Sequence, residues 1–224
     1  MSAYFDKKCK NFIHSFILLG GFYGLNQNAQ YGAHELAGMN EALMTKSANI
    51  EILSFLSHHA SDQRLQAMLM NHAETIYAHY AEGVSILQGQ HRNFNQFSGQ
   101  NYQQTANAPA KLGLRNPSMP SPNMQAQSPS EQSVCTIALN IHKFGAIGWT
   151  TLALECTNPQ LRSYLMAGSS MCDRMAYEVW SFMNQKGYYQ VPTLQQNTTQ
   201  TMIHAYQMPT QAPWQGGSPT PFQQ

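Results

Sequence analysis

The chain has 224 residues, which suits one domain with appended segments, and its hydrophobic content of 42% is enough for a packed core. Its formal net charge of +1 excludes the basic footprint of a nucleic-acid-binding protein. Charged residues make up only 10% of the chain, so neutral polar side chains must cover the surface, and a charge near zero favours association.

Residues 1–27 form an N-terminal extension that has more than one interpretation. The stretch KKCKNFIHSFILLGGFYGL has the positive start and apolar run of a signal peptide, but His14 and Ser15 interrupt the run. The run is too short to span a bilayer, so no membrane span is predicted. Another interpretation is a start-site artefact, in which translation begins at position 25.

Residues 28–88 are predicted to form a first helical hairpin. Between Ala33 and Ala60 the apolar side chains recur at helical spacing, at Leu36, Met39, Leu43, Ile50 and Leu53. Ser61-Asp62 offers an N-cap for a second helix over about 62–88. The apolar face of this second helix consists of Leu65, Leu69, His72, Ile76, His79, Gly83 and Ile86.

Residues 89–127 are rich in Gln, Asn, Ser and Pro, a composition that cannot bury enough apolar surface to fold by itself. We predict a long disordered crossover here. Residues 191–224 have a similar composition and are predicted to be a disordered C-terminal tail.

Residues 128–190 are predicted to form a second helical hairpin. Ser128, Pro129 and Glu131 have the spacing of a capping box with proline in the first turn. The apolar face predicted for the third helix is Val134, Ile137, Ile141, Phe144, Gly148 and Leu152. Thr157 or Asn158 is expected to cap the fourth helix, which Gly187 ends. Its apolar face consists of Leu161, Leu165, Gly168, Cys172, Met175, Val179 and Phe182.

The two hairpins share a weak internal repeat. SDQRLQAMLM starts at position 61 and TNPQLRSYLM at position 157, a shift of 96. The same shift aligns Leu65 with Leu161 and Glu35 with Glu131. Two helical hairpins joined by a long link predict an all-α, ferritin-like four-helix bundle.

Two stretches carry a resemblance to a known family. YGAHELAGMNEALMTKSANIEILSFL (31–56) and ECTNPQLRSYLMAGSSMCDRMAYEVWSFMNQKGYYQV (155–191) closely resemble the spore coat protein F family of endospore-forming bacteria. The resemblance covers residues 28–87 and 131–192. It implies a ferritin-like bundle that is made during sporulation and deposited in the spore coat. The implied partners are other spore coat proteins and further copies of the chain itself.

The sequence predicts neither a catalytic site nor a cofactor. A di-iron bundle needs Glu-x-x-His motifs, and no glutamate of this chain is followed by histidine three positions later. His72 and His79, seven positions apart on the second helix, are weak metal candidates with Glu51 or Glu178. The simpler interpretation is two half-buried histidines bonded to a facing helix. A structural coat protein is therefore predicted, and the alternative is a metal-binding or redox ferritin-like protein with non-standard ligands.

Two further hypotheses concern individual side chains. Lys46 lies on or beside the core face of the first helix. It is expected to extend its ammonium to solvent, to belong to a polar core that fixes the helix register, or to pair with Glu155 or Glu178. Separately, the tyrosines of the predicted flexible segments would be available for covalent cross-linking in a durable shell. They are Tyr102, Tyr188, Tyr189 and Tyr206.

Overall fold

The computed structural model describes residues 31–89, 108–116 and 120–208. Within these residues the regular structure is helical, apart from one isolated bridge between Leu112 and Val191. The helices are α1 (Ala33–His59), α2 (Gln63–Leu87), α3 (Glu131–Glu155), α4 (Pro159–Lys186) and α5 (Gln196–His204). Helix α1 packs on α2 and α3 packs on α4, and the two pairs meet through α1 with α3 and α2 with α4. The predicted all-α bundle of two hairpins is confirmed, while the N-terminal extension 1–27 lies outside the described residues.

The ends of the helices show how the two hairpins are oriented. The hydroxyl of Tyr31, just before α1, donates to the carbonyl of Ile86 at 2.9 Å, so α2 ends where α1 begins. The side chain of Glu131, the first residue of α3, accepts from the backbone N–H of Asp62 at 2.9 Å, so α3 begins where α1 ends. The link between α2 and α3 therefore connects opposite ends of the bundle.

Helices α2 and α4 bury the faces that their sequences predict. All seven positions of the predicted face are buried in α2, and all seven are buried in α4. In both helices the apolar side chains recur on one face, so the hydrophobic period locates the buried side. Helix α4 also buries five residues beside the predicted face: Tyr164, Met171, Ser181, Met183 and Asn184.

The predicted core face of α3 is right at Val134 but wrong at Ile137 and Phe144. Ile137 and Phe144 are 41% and 69% exposed, whereas the buried side chains are Val134, Cys135, Ala138, Leu139, His142, Trp149 and Ala153. Helix α3 is apolar on two faces, and the face that packs into the core combines small side chains such as Ala138 with the large ring of Trp149. The bulkier face borders α1, where it lines a groove.

The helix caps follow the predicted chemistry with one correction. Asp62 accepts from the N–H of Arg64 at 2.8 Å, and Asn158 accepts from the N–H of Leu161 at 3.0 Å. The capping box predicted at 128–131 is wrong, because α3 begins at Glu131 and its N-cap is Ser130. Gly187 ends α4 with a φ of 81°, a left-handed conformation that suits glycine.

The buried carboxylate of Glu35, in the first turn of α1, accepts four hydrogen bonds. The backbone N–H groups of Thr157 and Asn158, at the turn between α3 and α4, donate to it at 2.5 and 2.9 Å. The hydroxyl of Thr157 donates at 3.0 Å and the N–H of Gly32 at 2.6 Å. Glu35 thus fastens the start of the first hairpin to the turn of the second.

Glu131 makes the reciprocal connection from α3 to the turn between α1 and α2. It accepts from the hydroxyl of Ser61 and the N–H of Asp62, and from the hydroxyl of Tyr188 at 3.1 Å. The ammonium of Lys186 lies 2.8 Å from Asp62 and 3.7 Å from Glu131. The shift of 96 that relates Glu35 to Glu131 also relates 61–62 to 157–158, so the internal repeat is a repeated structural contact.

Parts of the link and of the tail belong to the described residues. The buried amide of Asn184 accepts from the N–H of Lys111 at 2.7 Å and donates to its carbonyl at 3.0 Å, which attaches the link to the end of α4. The tail contains α5, none of whose side chains is buried. None of the described helices is long and apolar enough to cross a membrane.

Glu35→Ala is expected to lower the free energy of unfolding by about 2–3 kcal/mol at pH 7, because it leaves buried N–H groups without an acceptor. Burial favours a raised pKa for Glu35, but the hydrogen bonds from Asn158, Gly32 and Thr157 lower it to about 2. A carboxyl with a lowered pKa stabilises the fold above its unfolded pKa and loses that effect as the pH falls.

The difference in free energy of unfolding between wild type and Glu35→Ala should therefore shrink as the pH falls from about 4.5 to about 2. Urea unfolding across this range measures it. The control is Glu51→Ala, an exposed glutamate of the same helix. Equal losses of unfolding free energy in Glu35→Ala and Glu51→Ala would show that the contact between the hairpins contributes nothing to stability.

Candidate functional site

A cluster of polar side chains lies inside the helical bundle. It consists of Lys46 of α1, His72 and His79 of α2, His142 of α3 and Tyr164 of α4, and we call it the polar cluster. Each of these side chains is at most 3% exposed. Burying polar groups lowers the stability of the fold unless they form hydrogen bonds, so the partners of each side chain are described in turn.

His72 connects a carboxylate to a second histidine. Its Nε2 lies 2.8 Å from Glu178 and its Nδ1 lies 3.0 Å from Nε2 of His142. Burial, followed by the charges of His72 and Lys46, lowers the pKa of His142 well below the usual range, so His142 is neutral. If His72 donates its Nε2–H to the carboxylate, then its Nδ1 accepts from His142, and the three groups form a directed chain.

His79 and Tyr164 form a reciprocal pair between α2 and α4. The ring Nε2 of His79 donates to the carbonyl of Tyr164 at 3.2 Å, and the hydroxyl of Tyr164 donates to the carbonyl of His79 at 2.8 Å. The two rings are stacked with centroids 4.2 Å apart. Burial and the charge of Lys46 lower the pKa of His79 to about 3, so this ring is neutral as well.

Lys46 is the buried cation of the cluster. Its Nζ lies 4.3 Å from the centroid of the Trp149 ring, and among the described residues it has no hydrogen bond and no salt bridge. Burial lowers the pKa of Lys46 to about 8, although Cys172 and Glu82 favour the charged form. Two of the three sequence-based hypotheses are wrong: Lys46 is only 2% exposed, so it does not extend to solvent, and Glu178 pairs with His72 instead. The third, a polar core that fixes the helix register, stays a prediction.

A groove with a volume of about 810 Å³ lies between α1 and α3. The face of α3 that was predicted to be core forms much of its wall, through Ile137, Ile141, Phe144, Gly148 and Leu152. Lys46, His142, Trp149 and Cys172 belong to its buried side. The groove and the polar cluster therefore share Lys46 and His142.

His72 and His79 contact different partners: His72 bonds Glu178 and His142, whereas His79 bonds the carbonyl of Tyr164. Among the described residues there is no group of three or more His, Cys, Asp or Glu side chains placed to hold a metal ion. His142 was missed because it lies off the predicted face of α3. The internal repeat could have indicated it, since a shift of 96 relates it to Lys46.

Two glycines allow a test of how tightly the polar cluster is packed. A Cβ at Gly83 would clash with the hydroxyl of Tyr164, whereas a Cβ at Gly148 would meet nothing within 4 Å. Gly83→Ala is therefore expected to lower the free energy of unfolding by about 1–3 kcal/mol. Gly148→Ala should raise it by about 0.5–1 kcal/mol through helix propensity. Thermal unfolding measures both, and stabilisation by Gly83→Ala would contradict the packing.

Lys46→Met removes a buried charge and keeps a side chain of similar length. We expect it to raise the free energy of unfolding by about 1–3 kcal/mol at pH 7, because an apolar side chain avoids the cost of burying an unpaired ammonium. Denaturant unfolding measures the change, and Lys143→Met, an exposed position on α3, is the control. Destabilisation by Lys46→Met alone would show that the ammonium stabilises the core.

Comparisons with known proteins agree on one family. Residues 130–192, from the N-cap of α3 to the segment just after α4, match the family described as the Coat F domain. The Spore coat protein F-like protein YhcQ of Bacillus subtilis (strain 168) is 26% identical over 197 residues, which cover 83% of this chain and 86% of that protein. No solved structure matches the chain.

Proposed function

The chain belongs to the spore coat protein F family, and we propose that it is a structural, non-enzymatic component of the bacterial spore coat that assembles through the surface of its helical bundle. The family match supports the spore coat as the location of the protein. The orientation of the hairpins supports the finer description as a ferritin-like bundle, because a link between opposite ends is the crossover of that topology.

The distribution of exposed apolar side chains supports assembly through one side of the bundle. Outside the groove, α1 exposes Met44 and Phe55, and α3 exposes Ile147 and Leu154, each between 57% and 66%. Helices α2 and α4 expose far fewer large apolar side chains. Exposed apolar surface of this kind is typical of a protein interaction site. We call these four residues the apolar rim.

The low charge of the protein favours association through the apolar rim. A chain with 10% charged residues and a net charge of +1 has little electrostatic repulsion between copies or between neighbours. Other spore coat proteins and a second copy of the chain are therefore both suitable partners. No observation within the described residues favours the metal-binding or redox alternative.

We expect the double substitution Met44→Lys and Ile147→Lys to reduce incorporation into the coat several-fold, because it places charges on the apolar rim. The control is Tyr77→Lys with Met166→Lys, which places the same charges on α2 and α4, at side chains that are 63% and 41% exposed. Quantitative immunoblotting of the spore coat fraction measures both. Equal incorporation of the two variants, with normal melting temperatures, would contradict assembly through α1 and α3.

Among the tyrosines proposed for covalent cross-linking, Tyr206 has the most exposed side chain within the described residues. Tyr188 is packed against the core and its hydroxyl donates to Glu131, so it is not a mobile side chain. Tyr189 is 39% exposed and near the Trp180 ring, whereas Tyr206 is 85% exposed. Tyr102 lies outside the described residues.

If cross-linking occurs through exposed tyrosines, Tyr206→Phe should increase the monomer extracted from mature spores by detergent and reductant. Tyr188→Phe is the matched control, since it removes a hydroxyl that is already bonded. Immunoblotting of the extracts compares the two. Identical monomer yields from wild type and Tyr206→Phe would exclude incorporation through Tyr206.

A further inference from the structure

The groove between α1 and α3 has the properties of a binding site for a small organic molecule. Its volume of about 810 Å³ falls within the range of known ligand pockets. One wall consists of the bulky apolar side chains of α3, among them Ile137 and Phe144, which no other described segment covers. An amphipathic helix normally buries such a face, so a ligand that covers it would be stabilised by the hydrophobic effect.

The buried side of the groove carries one positive charge. Lys46 is 2% exposed and has neither a hydrogen-bond acceptor nor a salt bridge among the described residues. Its neighbours on this side supply no charge of their own near neutral pH: His142 is neutral, and burial raises the pKa of Cys172 to about 11. The carboxyl of Glu82 favours the charged form of Lys46 from beyond salt-bridge distance.

An unpaired buried ammonium is expensive, and a carboxylate brought to it in an apolar site relieves that cost. The two glutamates that line the groove, Glu41 and Glu155, are exposed, so they are hydrated and lie away from the buried side. The groove therefore combines an apolar wall, two exposed glutamates at its outer edge and one buried cation. This arrangement selects an apolar chain with a negative group at its inner end.

We propose that the groove binds a medium-chain carboxylate, with its carboxylate on the ammonium of Lys46 and its alkyl chain along the apolar face of α3. The alkyl chain would extend toward Gly38 and Leu152, which line the groove on α1 and α3. Lys46 and Gly38 are eight positions apart on α1, about 12 Å along the helix. This length suits an acyl chain of about ten carbons.

Isothermal titration of the purified full chain with decanoate, decanol and decylamine tests this site. We expect decanoate to bind at least tenfold more tightly than decanol, and decylamine more weakly than both. Lys46→Met should remove the preference for decanoate and retain decanol binding, while Lys143→Met on the exposed side of α3 should change neither. Equal affinities of the wild type for decanoate and decanol, or no binding of decanoate, would overturn the proposal.

A second pair of variants locates the ligand. Gly148 lines the groove and has open space at its Cβ, so Gly148→Phe should fill the groove and weaken decanoate binding at least tenfold, whereas Gly148→Ala should not. Undiminished binding by a folded Gly148→Phe variant would place the ligand elsewhere. Binding by a chain that starts at Tyr31 but not by the full chain would mean that residues 1–30 cover the groove, which also contradicts the proposal.

This inference is independent of the proposed structural role, because it is measured on the isolated protein. Loss of carboxylate binding in Lys46→Met with unchanged coat incorporation would leave both proposals standing. Carboxylate binding without any coat incorporation would support the site and contradict the structural role.

Discussion

The bundle depends on two carboxylates that each hold a turn of the opposite hairpin. Glu35 accepts the N–H groups at the turn between α3 and α4, and Glu131 accepts those at the turn between α1 and α2. These N–H groups belong to helix starts, where the helix provides no acceptor and where a negative charge is favoured. One side chain therefore caps a helix and joins two hairpins, which fixes how far the hairpins can slide along each other.

The hydrophobic period locates a buried face best where a helix has one apolar face. In α2 and α4 every residue of the predicted face is buried, and the residue types before each helix identify Asp62 and Asn158 as candidate caps. Helix α3 has two apolar faces, and the period cannot decide which of them meets the core. Residues as different in size as Ala138 and Trp149 face inward, a choice that depends on the neighbouring helices and not on α3 alone.

The candidate site is less predictable for a related reason. The repeat at a shift of 96 pairs Glu35 with Glu131 and Lys46 with His142, but a sequence does not reveal which atoms these side chains reach. Glu35 reads as an ordinary acidic residue in the first turn of a helix, although it is fully buried. Its role exists only once the second hairpin is present. The same holds for the hydrogen-bonded series Glu178, His72 and His142, whose side chains come from three different helices.

The polar cluster and the apolar outer face of α1 and α3 are two results of one arrangement. Polar side chains inside a bundle reduce its stability but favour one register, because each needs a partner at a defined position. The polar cluster takes side chains from all four helices of the bundle, whereas the exposed large apolar side chains concentrate on α1 and α3. Helices α2 and α4 turn their apolar residues inward and expose one large apolar side chain each, Tyr77 and Met166. An interior that favours a single packing is therefore compatible with an exterior that favours association, because the two use different faces of the same helices.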